Sequence, residues 1–198
     1  MAAAVAEGIY MKKRVFVVHG WGGSPDGGWK PWLKKELEVR GFEVMIPQMP
    51  QPDFPKMNEW IGTLAALVGK PDADTILVGH SLGVVTVLRY LETLKKGERI
   101  GGAVLVAGLA MDTNIPELKN FFPRKSYKWA EIKRHCGKFI TINSDNDYYI
   151  PLSHGEEFKN HLGAEMIVMK EHGHFSSGDG FTDLPVLLEC VLKITGKK

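Results

Sequence analysis

Cysteine is scarce in this chain, and that scarcity excludes a good deal. Two cysteines in 198 residues cannot build a disulfide framework. Cys136 and Cys190 form neither a CxxC pair nor a metal-ligand spacing. They are expected to be buried apolar fillers in a reducing compartment, the cytoplasm. An excess of charge of one sign is missing too. With 25 basic and 23 acidic residues the chain is nearly neutral, which points away from nucleic acid and from an anionic membrane. No apolar run approaches the ~20 residues of a membrane-crossing helix. There is no internal repeat and no low-complexity linker. GxGxxG and GK[ST] motifs are absent, so the glycine-rich loop from Gly20 to Gly28 is not a nucleotide-binding loop. Neither a metal nor an organic cofactor is implied.

What remains is an ordinary globular composition, 44% hydrophobic, long enough to bury a full core without disulfides. The start, Met1-Ala-Ala-Ala-Val-Ala-Glu-Gly, only superficially resembles a signal peptide, because it has no basic segment and is broken by Glu7 and Gly8. Met11-Lys12-Lys13-Arg14 is a more natural beginning. Residues 1–12 are therefore expected to be a poorly ordered extension and residues 13–198 a single domain.

Glycine, by contrast, is plentiful, and two glycines bracket the most informative feature: Gly79-His80-Ser81-Leu82-Gly83. A β-branched apolar run, Thr75-Ile76-Leu77-Val78, precedes it, and a helical stretch over 84–96 follows. Strand, G-x-S-x-G turn and helix together describe a nucleophile elbow, which lifts a serine hydroxyl to the top of a sheet. The strained turn needs neighbours without Cβ atoms.

The rest of the chain alternates strand and helix. Apolar runs predict strands over 14–19, 42–46, 75–79, 103–107, 139–143 and 165–169. Helical patterns fall over 29–40, 57–68, 84–96, 154–162 and 184–194. Six strands with intervening helices imply an α/β fold with a mostly parallel sheet and right-handed crossovers. The proline-rich stretch 47–55 reads as a rigid surface loop. In such sheets function gathers beyond the carboxyl ends of the strands. Ser81 sits there.

A serine hydroxyl needs a general base and a group that orients the base. The hydrolase order is Ser, then Asp or Glu, then His. Of seven histidines only His172 and His174 follow the last strand, and His174, between Gly173 and Phe175, is the favoured base over His172. The acid should follow a strand between Ser81 and that histidine. Asp147 in Ser144-Asp145-Asn146-Asp147-Tyr148-Tyr149-Ile150-Pro151 is favoured. Asp145 is expected to bond its own turn, and Asp112, after the preceding strand, is the alternative acid. Oxyanion donors are expected from the backbone of Leu82, at a helix N-terminus, and of Trp21, in the loop after the first strand.

The residues just quoted are similar to those of the small α/β-hydrolases of the retinoblastoma-binding protein 9 and YdeN type. The matching segments are Val18-His19-Gly20-Trp21-Gly22-Gly23, Trp32-Leu33-Lys34-Lys35-Glu36-Leu37, Gly79-His80-Ser81-Leu82-Gly83, the stretch from Ser144 to Pro151, and Gly173-His174-Phe175. The similarity runs over residues 13–195. It implies an α/β-hydrolase fold with Ser81, Asp147 and His174 as a triad and no separate cap domain. Tyr148 stands where several relatives carry proline. About thirty residues separate the fourth and fifth strands, too few for a separate cap. Within them, Asn120 to Trp129 is dense in aromatics, either pocket wall or an anchor to the core. Candidate pocket residues are His19, Phe121, Phe122, Trp129 and Tyr148.

The leading expectation is hydrolysis of a small carboxylic ester, with amide and thioester left open, through an acyl-enzyme on Ser81. The alternative is a non-catalytic interaction module on the same scaffold, since fold alone does not guarantee chemistry. The coexistence of nucleophile, acid and base in order favours the enzyme. A dehalogenase is excluded, because that chemistry wants an aspartate where Ser81 stands. A protein partner cannot be read from the sequence.

Overall fold

The computed structural model describes residues 12–123 and 126–197. The expected N-terminal extension falls almost wholly on residues 1–11, outside the described ones. Six strands appear where the apolar runs predict them: β1 (Arg14–Val18), β2 (Glu43–Met45), β3 (Thr75–His80), β4 (Gly102–Val106), β5 (Phe139–Ser144) and β6 (Glu165–Met169). All neighbours pair parallel, in the order β2-β1-β3-β4-β5-β6.

Alternation along each strand feeds two cores. Val15, Val17, Ile76, Val78, Val104, Val106, Ile140 and Ile142 point to one face, where α1 (Lys30–Val39) and α6 (Pro185–Thr195) bury Leu33, Leu37, Leu187 and Val191. Phe16, Val18, Leu77, Ala103, Leu105 and Phe139 point to the other. That face is covered by α2 (Met57–Val68), α3 (Leu82–Leu91), α4 (Trp129–Arg134) and α5 (Leu152–Leu162). Strands buried on both faces need the continuous apolar runs by which they were found.

Two departures from the sequence pattern have local causes. Helix α3 stops at Leu91 rather than continuing to residue 96. The Tyr90 carbonyl accepts from the Thr93 hydroxyl, and Lys95 N–H is taken by the Glu98 carboxylate, so an acceptor and a donor that would extend the helix are engaged elsewhere. Helix α4, together with 3-10 turns at Pro116–Phe121 and Ser177–Asp179, has no counterpart among the predicted elements. Such short pieces carry too few residues to show a period. Only the first of these turns and α4 lie between β4 and β5 among the described residues, so no separate cap covers the sheet.

The strand order places the site. From β1 the chain steps outward to β2, then returns to the other side of β1 for β3 and onward to β6. The loops after β1 and β3 therefore leave in opposite directions and open a crevice between them. Val18 pairs with Gly79 across that junction, so residues 19–23 and 80–83 come off the sheet at one level.

Candidate active site

Ser81 follows β3 directly and precedes the first residue of α3. Its backbone has φ 53° and ψ −117°, a conformation that side chains rarely adopt. The sheet holds it there: Ser81 N–H donates to the Val106 carbonyl of β4 at 2.9 Å. Both flanking glycines are sterically required. A Cβ on Gly79 would lie 2.6 Å from the Val84 nitrogen, and one on Gly83 would collide with the carbonyls of Val18 and His19. The turn can thus pack against β1 only with hydrogen on either side of it.

Asp147 and His174 come together from the loops after β5 and β6. His174 Nδ1 lies 2.9 Å from Asp147 Oδ2 and 3.1 Å from Oδ1. The Asp147 side chain is 1% exposed, and its Oδ1 also accepts the N–H groups of Tyr149 and Ile150 at 2.9 Å each. A buried carboxylate with three donors is satisfied as an anion, so it holds the imidazole with Nδ1 protonated and Nε2 free to accept. Among the described residues Asp112 bonds only its own loop, accepting from Asn114 N–H. His172 bonds the Lys170 carbonyl through Nδ1 and stacks on Phe181, away from the cavity. Asp145 differs from expectation: instead of closing its own turn, it accepts from Glu171 N–H at 2.7 Å in the next loop.

Ser81 and His174 line the same cavity of about 500 Å³. Among the described residues no hydrogen bond within 3.5 Å joins them, so the link between these two is open in this structure. Such contacts commonly tighten only when substrate is bound. On the β1 side of the crevice, Gly22 N–H donates to Pro52 and Gly23 N–H to Gly20, whereas no acceptor among the described residues takes Trp21 N–H or Leu82 N–H. The Trp21 indole donates to the Asp53 carbonyl, tying this loop to the proline-rich one.

Of the five candidate pocket residues, only Tyr148 lines the cavity. His19 is fully buried, accepting Met49 N–H at Nε2 and donating from Nδ1 to the Gly20 carbonyl. Phe121 is sealed in the core, edge-on to Trp60. Phe122 packs on Tyr127, and Trp129 stacks on His161. The aromatic segment is an anchor rather than a wall. The apolar wall comes from Leu109, Ile115, Leu118 and Ile150.

Two residues of the site escaped sequence reasoning. His80 lies beside Ser81, and its Nε2–H donates to the His174 carbonyl at 2.8 Å. Burial first, then the adjacent His174, pushes its pKa down to about 3, so it is a neutral strut for the histidine loop. Lys30, the first residue of α1, is 6% exposed and lines the cavity. Its place three and seven residues before Leu33 and Leu37, on the buried stripe of the helix, was the available signal. Among the described residues no group of three or more His, Cys, Asp or Glu side chains is arranged to hold a metal ion, and no helix is long and apolar enough to cross a membrane.

A family model described as Serine hydrolase matches residues 15–193. The chain is 31% identical over 188 residues to YdeN of Bacillus subtilis (strain 168), named as a candidate hydrolase, covering 95% of this chain and 99% of that one. The crystal structure of the ydeN gene product matches with a TM-score of 0.87 over 94% of this chain and 100% of that one. Serine hydrolase RBBP9 of Rattus norvegicus is 27% identical over 161 residues, 80% of this chain and 84% of its own. A carboxylesterase structure from Nitrososphaera gargenis shares the fold at 12% identity, with a TM-score of 0.70 over 94% of this chain and 92% of that one. The chain belongs to the serine hydrolase family and has the α/β-hydrolase fold.

Proposed function

We propose that this protein hydrolyses a small carboxylic ester by acyl transfer to Ser81, with His174 as general base and acid and Asp147 as its orienting carboxylate. The observation that carries the reading is the closed Asp147–His174 pair, 2.9 Å apart, in one cavity with a serine held at the elbow. Ser81 Oγ attacks the ester carbonyl carbon while His174 Nε2 takes the hydroxyl proton. The carbonyl oxygen becomes an oxyanion, for which the unpartnered N–H groups of Trp21 and Leu82 are the donors. Collapse of the tetrahedral adduct breaks the ester C–O bond, and His174 returns the proton to the departing alcohol. Water, deprotonated by the same nitrogen, then releases the acid from Ser81. Esterase structures that share the fold favour ester over amide as the first class to try.

Labelling with a fluorophosphonate, followed by mass spectrometry of the digest, tests this directly. The expected result is one adduct on Ser81, absent in Ser81→Ala and strongly slowed in His174→Ala. A well-folded protein that takes no label would sink the reading and leave an interaction module on a hydrolase scaffold in its place.

A further inference from the structure

Lys30 is costly where it stands. It is 6% exposed, its ammonium lies 5.4 Å from the centroid of the Trp29 ring, and among the described residues no carboxylate pairs with it and no hydrogen bond satisfies it. It opens helix α1, where the helix dipole disfavours a cation. Burial alone pushes its pKa down to about 8, which still leaves it mostly charged at neutral pH. Its charge also helps depress the imidazoles of His19 and His80. A methionine would fill the same space without any of these penalties.

The surroundings of its ammonium are polar and open to the cavity. Gly27 is the centre: a Cβ there would stand 3.1 Å from Ser177 Oγ, 3.4 Å from Ser24 Oγ and 3.7 Å from Lys30 Nζ. Two hydroxyls and a cation thus lie close together beside the Gly27 backbone, and all four residues line the cavity that holds Ser81. The wall formed by Leu109, Ile115, Leu118 and Ile150 is apolar.

We propose that Lys30, with Ser24 and Ser177, binds a carboxylate carried by the substrate, so that the ester is an anionic one with an apolar part along the opposite wall. This rests on the hydrolase reading above and narrows its substrate class. The carboxylate belongs either to the acyl side, as in a half-ester of a dicarboxylic acid, or to the leaving alcohol.

Two matched pairs of esters separate these sources: monophenyl glutarate against phenyl pentanoate, and 4-(carboxymethyl)phenyl butyrate against 4-ethylphenyl butyrate. In one pair kcat/KM at pH 7 should favour the anionic member at least tenfold, and Lys30→Met should abolish that ratio. Equal rates within both pairs, or a Lys30→Met loss shared equally by both members, would overturn the proposal. Binding of the two anionic esters to Ser81→Ala, measured by calorimetry, needs no turnover. Affinity for one of them should weaken at least tenfold when Lys30→Met is added, and unchanged affinity for both also overturns the proposal. Cleavage of neutral esters without any preference removes the carboxylate site and leaves the hydrolase reading intact. Absence of both turnover and fluorophosphonate labelling removes that reading, while the calorimetry still decides Lys30.

Discussion

At the scale of single residues, the assignments differ in how they would fail. Asp147→Asn keeps the shape of the side chain but cannot hold His174 in the tautomer that leaves Nε2 as acceptor. By analogy with serine proteases it should lower kcat/KM by on the order of 10⁴. Asp112→Asn, at a residue that among the described ones bonds only Asn114, should stay near the parent rate. A mild first effect and a severe second one, measured on the same ester, would move the acid to Asp112. His80 offers a test through stability. Its pKa lies at about 3 in the folded protein against 6.5 for an ordinary histidine. Between these values the unfolded chain binds a proton that the folded one refuses, so stability falls as pH drops below about 6.5. His80→Gln keeps an N–H for the His174 carbonyl yet cannot titrate. Its Tm should therefore decline less between pH 7 and pH 4 than that of the parent.

At the scale of elements, the acid and the base are brought together by a zipper between two loops. Glu171 N–H donates to Asp145, His172 N–H to Ser144 Oγ, and Gly173 N–H to Asn146 Oδ1, each between 2.7 and 2.9 Å. The far side is fastened by Asp179, which accepts from His174 N–H and Ser176 N–H. Gly173 has φ +52°, and a Cβ on it would run into the Asp179 carboxylate. Asn146→Ala removes one tooth of the zipper. Hydrogen exchange of the amides at 171–174 should speed up while β5 stays protected, and kcat should drop about tenfold by misplacing His174. Unchanged exchange there would mean that the Asp179 side alone sets the loop.

At the scale of the whole molecule, Lys30 links site and stability. Holding a lysine near 8 rather than 10.5 costs about 3 kcal/mol at neutral pH, at about 1.4 kcal/mol for each pH unit. Below about pH 8 both folded and unfolded chains carry the proton, and the full cost stands. Between 8 and 10.5 only the unfolded chain keeps it, so this contribution makes stability rise with pH. His19 and His80, the histidines it faces, are held low and stay neutral in that window. Lys30→Met should therefore melt several degrees higher at pH 7 and lack the parent's alkaline gain, read from Tm between pH 7 and pH 10.

Much of this molecule was legible in its sequence because the relevant signals are local. A strand buried on both faces must be a continuous apolar run, and 75–78 is one. A serine at φ 53° that packs against a neighbouring strand must be flanked by glycines, and 79 and 83 are. Asp147 is favoured over Asp145 on the expectation that Asp145 bonds its own turn; it is Asp147 that meets His174, while Asp145 accepts from Glu171 in the next loop. The cavity lining was not legible. Phe121 and Trp129 carry the same aromatic signal whether they face a substrate or a core, and only packing on Trp60 and His161 decides between the two. Lys30 reads as an ordinary solvated cation until Trp29, Gly27 and the loop after β6 close around it. The elements, their order and the residues able to do chemistry follow from periodicity and steric need, which are local properties of the chain. Which groups share the cavity and which are charged there follows from packing, because burial and distance arise from segments far apart in the chain.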